Sequence, residues 1–298
     1  MPTVLPPLLK WAGSKRALAE TVRRTFDAPA VQYMEPCVGA ACVYAQRLSV
    51  GDLRPGPHVL LADLNPALIA FYRGLRANPE GVLRAMDALA WDASWMADYE
   101  GRREEYNARI AGWTTDRGED GYAPAHGSHE FCALFLWINR ACFNGLYRVS
   151  ASGKFNTPAA DYLSLNRPTP KLVRQWAQAL EGVVLRCQPF AESMAEAGTD
   201  WQVYVDPPYF DMFDAYTTSP WGYEEQMRLG LACHEARARG AHVVASNTNH
   251  PRVRAIYAGL GFEVREATVY HSVGATPARR SAARELLLVG VLPRRRRT

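Results

Sequence analysis

The chain has 298 residues, 48% of them hydrophobic and 21% charged, a balance that excludes disorder and supplies core enough to need no disulfide or metal staple. Its 34 basic and 30 acidic residues leave +4, an excess that Arg294 to Arg297 alone supply, so bulk charge does not mark a nucleic-acid binder and local clusters must be read instead. The longest apolar runs, Phe131 to Ile138 and Leu286 to Leu292, fall far short of the ~20 residues that span a bilayer.

In chain order, the first segment, MPTVLPPLLK, is broken by prolines and lacks the basic-then-apolar layout of a secretion signal; a cytoplasmic protein is expected. Lys10 to Lys15, KWAGSK, is an aromatic and basic element in which Ser14 is placed to cap a helix. Val31 to Met34 reads as a strand that runs into Glu35-Pro36, the small-residue turn VGAAC and a helix over Val43 to Leu48. His58 to Ala62 is a second strand, ending at Asp63. Asn65-Pro66 then opens a helix with apolar Leu68, Ile69, Tyr72 and Leu75.

Val183 to Cys187, Gln202 to Val205 and His242 to Ala245 read as further buried strands, the last following a helix around Glu224 to Arg239. Phe262 to Val269 and Glu285 to Leu292 read as an antiparallel pair. Alternating strands and helices predict an α/β fold with a doubly wound, mostly parallel sheet. Between about Ala77 and Asn166 the pattern turns helical and rich in Trp and Tyr, with a polar stretch over Thr114 to Ser128. Gly39 and Asp206 are also much farther apart than three strand–helix units of about 30 residues require. The division expected is a discontinuous domain, 1–76 and 167–298, carrying an inserted domain, 77–166. Six cysteines without a C-x-x-C pair read as reduced core thiols. Seven histidines without ligand spacing give no reason to expect a metal.

The sharpest chemical signal is Asp206-Pro207-Pro208-Tyr209, directly after the strand QVYV. Paired prolines stop a strand and forbid a helix, which fixes a rigid loop at the carboxyl end of a strand, where open α/β sheets bind ligands. Asp206 and the Pro207 carbonyl suit the N–H groups of an exocyclic amine, and Tyr209 suits the face of its ring. A proline-stiffened turn with an incidental acid is the plain alternative. Asp63 ends the second strand, where a carboxylate grips ribose hydroxyls or caps the following helix. Glu35 to Gly39 ends the first strand in a glycine turn that lets a ligand approach the backbone. No G-x-G-x-x-G follows that strand, which argues against a nicotinamide dehydrogenase.

KWAGSK, EPCVG, LADLNPALIAFY, NRACFNGLYRVSASGKFNTP, DPPY and SNTNHPRVRAIY occur in the order and spacing of Dam-type DNA adenine-N6 methyltransferases (D12 class, alpha group), which the chain resembles from Leu9 to about Val289. The resemblance implies a Rossmann-like, S-adenosylmethionine-dependent methyltransferase sheet with a mostly helical target-recognition insertion over 77–166. It also implies methyl transfer to adenine N6 in double-stranded DNA, without metal. Carried over, Trp11, Lys15, Asp63 and Asp206 contact S-adenosylmethionine; the strand-end turn adds Glu35 and Gly39 to that side, and the chemistry of the loop sets Asp206, Pro207 and Tyr209 against the reacting amine. Within the insertion the mix of cations, amides and aromatics sets Arg140, Phe143, Asn144 and Arg148 as expected DNA contacts, Arg148 reading a base edge and Phe143 wedging into the stack. The bland alternatives are a core aromatic beside Phe135 and Leu136, and a surface salt bridge.

Two departures stand out. The family's turn usually has a second glycine, whereas this one is Gly39-Ala40-Ala41-Cys42. Alanine resists positive φ, so a reshaped turn or weaker cofactor binding is expected, and a non-catalytic DNA-binding relative is the rival reading. After Phe155-Asn156-Thr157-Pro158 come Ala159-Ala160-Asp161, an acid in place of a DNA-facing cation, which counts against GATC as target. DPPY itself also serves cytosine-N4 and RNA-adenine methyltransferases. Asn247 to His250 is expected to form a further pocket wall, and Arg279, Arg280 and Arg284 to grip phosphate. The arginine tail would add non-specific DNA affinity. A monomer of prokaryotic or phage origin is expected, with room for a companion restriction endonuclease.

Overall fold

The computed structural model describes residues 4–26, 29–113, 127–209, 221–270 and 282–290. The strands are β1 (Gln32–Glu35), β2 (Val59–Asp63), β3 (Val184–Cys187), β4 (Trp201–Val205), β5 (His242–Thr248), β6 (Glu263–Tyr270) and β7 (Ala282–Gly290). They form one seven-stranded sheet in the order β3-β2-β1-β4-β5-β7-β6. The first five run parallel. β7 lies antiparallel between β5 and β6, an insertion into the sheet that the sequence pattern showed only as an antiparallel pair. Side chains alternate between two cores: Tyr33, Leu61, Tyr204 and Val244 point to one face, Met34, Leu60, Val203 and Val243 to the other. Strands buried on both faces explain why they read as unbroken apolar runs.

The helices are α1 (Ala19–Arg23), α2 (Cys42–Ser49), α3 (Pro66–Ala77), α4 (Pro79–Met86), α5 (Trp95–Arg109), α6 (His129–Ala141), α7 (Pro170–Ala179), α8 (Phe190–Glu196), α9 (Tyr223–Ala238) and α10 (Pro251–Gly259). Helices α8 to α10 cover one face of the sheet, and the others build on the opposite face. The start of α3 is set by Asn65, whose side-chain oxygen accepts from Ala67 and Leu68 N–H at 3.0 and 3.2 Å, with Pro66 in the first turn. Asp63 is therefore not its cap. Nor does Ser14 cap a helix: α1 begins later, after Leu18, and the Ser14 hydroxyl lies 3.1 Å from the Cys42 thiol. None of the described helices is long and apolar enough to cross a membrane.

In the segment 77–166, α6 is buried on every side, which is why its sequence is apolar all round. It packs against α3, α4 and α5, and its aromatics join Trp95, Tyr99 and Tyr106 of α5 in a stacked and edge-on cluster. That cluster is continuous with the core on the α3 side of the sheet.

Between β1 and α2 the chain turns through two left-handed residues, Gly39 at φ 48° and Ala41 at φ 52°, ψ 38°. The alanine expected to avoid this conformation adopts it, fully buried, with its N–H bonded to the Val38 carbonyl at 2.8 Å. The turn is imposed on Ala41 by its surroundings at a local cost of roughly 1–2 kcal/mol. Ala41→Gly should accordingly raise stability by about 1 kcal/mol, net of the lost methyl, seen as a higher urea midpoint; a lower midpoint would refute this strain.

Glu35, 2% exposed, closes β1 and accepts from the Tyr33 hydroxyl at 2.6 Å. Burial pushes its carboxyl up to about 8, against the lowering effects of the Tyr33 hydroxyl and the Tyr44 backbone. Beneath it the Arg47 guanidinium lies buried against the Phe26 and Tyr33 rings, 4.4 and 4.9 Å from their centroids, and donates to Gln202. The folded state thus keeps a proton on Glu35 that an unfolded carboxyl, at 4.5, has released. This contribution to stability is complete below the unfolded value and lost as pH rises through about 8. Urea midpoints of the ligand-free protein should fall over that window more steeply than those of Glu35→Gln, and parallel pH profiles would contradict the assignment.

Candidate active site

The sheet order reverses between β1 and β4, and the carboxyl ends of β2, β1 and β4 meet there, bringing Asp63, Glu35 and Asp206 to one edge. Asp63 accepts from the Gly39 N–H at 3.1 Å and the Asn65 N–H at 3.0 Å, so its carboxylate ties the β1 turn to the end of β2. Burial raises its pKa against those backbone bonds. Tyr72 of α3 donates to the Gly39 carbonyl at 2.7 Å, and the Trp11 ring lies so close that a Cβ at Gly39 would come within 3.0 Å of it. Trp11, Gly39 and Asp63 are thus one neighbourhood.

The Asp206–Tyr209 loop is held from four directions. Ser246 on β5 donates to Asp206 at 2.8 Å and is itself 2.8 Å from the Tyr204 hydroxyl. The ammonium of Lys15, 6% exposed, lies 3.1 Å from Asp206, 3.9 Å from Glu285 on β7 and 4.4 Å from the Tyr209 ring centroid. The Tyr209 hydroxyl donates to Glu285 at 2.5 Å. Gln226 on α9 donates to the Pro208 carbonyl at 3.2 Å, and Asn247 holds Gln226 in turn at 3.0 Å. Burial raises the Asp206 pKa, opposed by Lys15 and Ser246. Among the described residues no donor takes the Pro207 carbonyl.

KWAGSK is positioned by the end of α6. The Asn139 carboxamide accepts the Lys10 N–H at 2.8 Å and donates to the Lys10 carbonyl at 2.6 Å, pairing with one peptide as a sheet neighbour would. Arg140, only 9% exposed, donates to the Leu8 carbonyl at 2.5 Å. This corrects the expectation that Arg140 faces DNA: the side chain is buried and its Nη2 is spent on the backbone. Gly145 is required here, because a Cβ would fall 2.5 Å from that of Lys10. Next to it Tyr147 stacks on Trp11 at 5.9 Å.

Phe143 and Asn144 form an exposed 3-10 turn, Phe143 being 52% exposed, so it is not the core aromatic of the bland alternative. Asn144 is left-handed, φ 54°, a conformation asparagine tolerates. Arg148 donates through Nε and Nη2 to the side chain and carbonyl of Asn156 at 2.7 and 2.9 Å, bracing the hairpin that follows. Asn247 lies a layer below the pocket, behind Gln226, rather than forming its wall, and His250 caps α10 by accepting from the Arg252 N–H. Arg284 pairs with Glu266 across the β6–β7 hairpin. Arg279, Arg280, the arginine tail and most of Thr114 to Ser128 lie outside the described residues. Sequence reasoning passed over Ser246, Gln226 and Glu285; the only available signal was an acid inside the apolar run ELLLV.

The model of the D12 class N6 adenine-specific DNA methyltransferases matches residues 11–271. The DNA adenine methylase of Haemophilus influenzae is 28% identical over 95% of this chain and 93% of its own length. That of Vibrio cholerae is 29% identical over 94% of each. A type II methyltransferase of Lactococcus lactis is 26% identical over 95% of each. With the Rossmann-like sheet and DPPY loop placed as above, the chain belongs to the D12 class N6 adenine-specific DNA methyltransferases.

Proposed function

We propose that this protein transfers a methyl group from S-adenosylmethionine to adenine N6 in double-stranded DNA, with Asp206, Pro207 and Tyr209 at the reacting centre. The observation that carries the reading is the Asp206–Tyr209 loop, fixed by Ser246, Lys15, Gln226 and Glu285 while the Pro207 carbonyl stays uncommitted among the described residues. The donor set fits S-adenosylmethionine. The Asp63 and Asp206 carboxylates at the ends of β2 and β4 suit a cationic sulfonium, with the buried Glu35 of β1 beside them, and Asp63 beside the Gly39 turn suits a ribose diol. When bound, that donor supplies an electrophilic methyl. The chain's own residues do the rest. Asp206 and the Pro207 carbonyl accept the two amino N–H groups, drawing the nitrogen lone pair out of the ring toward attack. Tyr209 stacks on a base that has left the duplex. The acceleration comes from positioning and fixed electrostatics, with no covalent enzyme intermediate.

The segment 77–166 is read as the target-recognition part, inserted in a catalytic domain of 1–76 and 167–298. Its DNA-facing candidates are Phe143, Asn144 and Arg148; Arg140 serves as a brace instead. Since the Gly39–Cys42 turn closes with Ala40 and Ala41 in place, the departure that suggested a non-catalytic relative loses its force. Bacterial and phage relatives support a cytoplasmic setting, and the relative named a type II methyltransferase supports a restriction–modification role beside a companion endonuclease. The protein is read as acting as a monomer.

Folded Asp206→Ala should fail to move tritium from labelled S-adenosylmethionine to methylation-free DNA; turnover at the wild-type rate would end this mechanism. Sequencing of plasmid from expressing cells, with modification detection, should show N6-methyladenine at one defined motif. Phe143→Ala should slow methylation of a matched duplex about tenfold, whereas a mismatched target adenine, cheaper to unstack, should recover most of that loss. Equal slowing on both substrates would remove Phe143 from the wedge role.

A further inference from the structure

The carboxylate of Glu285 sits where packing alone gives no reason for one. It is 6% exposed, on β7, opposite Thr248 of β5 and Ala267 of β6, immediately before the buried Leu286, Leu287 and Leu288. A buried carboxylate costs stability unless it is hydrogen-bonded and paired. Its partners both belong to the reacting centre: the Tyr209 hydroxyl at 2.5 Å and the Lys15 ammonium at 3.9 Å. Lys15 in turn sits 4.4 Å from the Tyr209 ring centroid and 3.1 Å from Asp206.

We infer that Glu285 is a positioning residue for methyl transfer, acting through Tyr209. The inference rests on the function proposed above. The bond from the Tyr209 hydroxyl to Glu285 does two things. It fixes the plane of the ring by anchoring the end far from the backbone, so that the face turned away from Lys15 is presented to a base at a set angle. It also draws the phenolic proton toward a carboxylate, which enriches the ring in electron density. That enrichment matters in the transition state. As N6 forms its bond to the methyl carbon, with the pair of the broken C–S bond staying with sulfur, positive charge passes onto the adenine; it is relieved when one N6 proton leaves to Asp206 or water. An electron-rich ring stacked on that adenine stabilises the developing charge more than the neutral ground state.

The experiment measures single-turnover methylation of methylation-free genomic DNA with tritiated S-adenosylmethionine, using the full chain and the variants Glu285→Gln, Tyr209→Phe and the double variant. Calorimetry of S-adenosylmethionine binding and thermal melting accompany each. Glu285→Gln keeps shape and an acceptor but removes the charge. It should slow the chemical step about tenfold, the scale of one charge-assisted bond strengthened in the transition state, and leave cofactor affinity within about twofold. Tyr209→Phe should slow it at least as much, and adding Glu285→Gln to Tyr209→Phe should slow it no further, because the path through the hydroxyl is already cut. Multiplying losses in the double variant, or a wild-type rate for Glu285→Gln, would overturn the inference. Should Glu285→Gln fail to fold, a wild-type rate for Tyr209→Phe overturns it equally. A wild-type chain that methylates no DNA defeats the parent reading, whereas an active wild type indifferent to Glu285→Gln defeats only this one.

Discussion

One buried ammonium holds this site together. Lys15, from a segment that precedes the first strand, is among the described residues the one side chain that touches Asp206 after β4, Glu285 on β7 and the ring of Tyr209. Two carboxylates brought this close and buried would repel and desolvate each other; the cation between them makes the arrangement tenable. Much of the surrounding structure can be understood as placing that cation. The Asn139 carboxamide clasps the Lys10 peptide, the Arg140 guanidinium holds the Leu8 carbonyl, and Gly145 gives up a side chain so that the segment can lie flat against α6.

The same clasp joins two parts of the molecule with different tasks. From the exposed Phe143 and Asn144 the chain passes to Tyr147, which stacks on Trp11, and Trp11 covers Gly39 in the turn after β1. The turn, Tyr147 and Trp11 thus form one packed path from the segment 77–166 to the turn after β1.

Sequence periodicity was sufficient for the strands because β1, β2, β4 and β5 bury residues on both faces, and Pro207-Pro208 made the loop after β4 stand out from its strand. The fine wiring was less legible. Asn139-Arg140 looks like a DNA-facing pair beside aromatics, and nothing local reveals that both side chains turn inward to the backbone of residues 8 and 10. Asp63 looks like a cap because it precedes Pro66 by three residues, but the nearer Asn65 takes that role. Glu285, Ser246 and Gln226 were invisible as site residues because their partners lie on other strands and helices, and register across a sheet is not written within one strand. Ala41 is the instructive case. Its residue type argues against the left-handed turn, yet bonds from Val38 and the start of α2 impose it, so local propensity lost to tertiary context.

Placing β7 between β5 and β6 has a consequence for the order in which the protein comes to life on the ribosome. Lys15 and Asp206 are synthesised well before Glu285, and β6 cannot join the sheet until β7 has inserted beside β5. The nascent chain therefore carries an unpaired β5 edge until β7 emerges. The strand that closes that edge is also the one that brings Glu285 to Lys15 and Tyr209, so the sheet and the buried cluster are completed in the same late step.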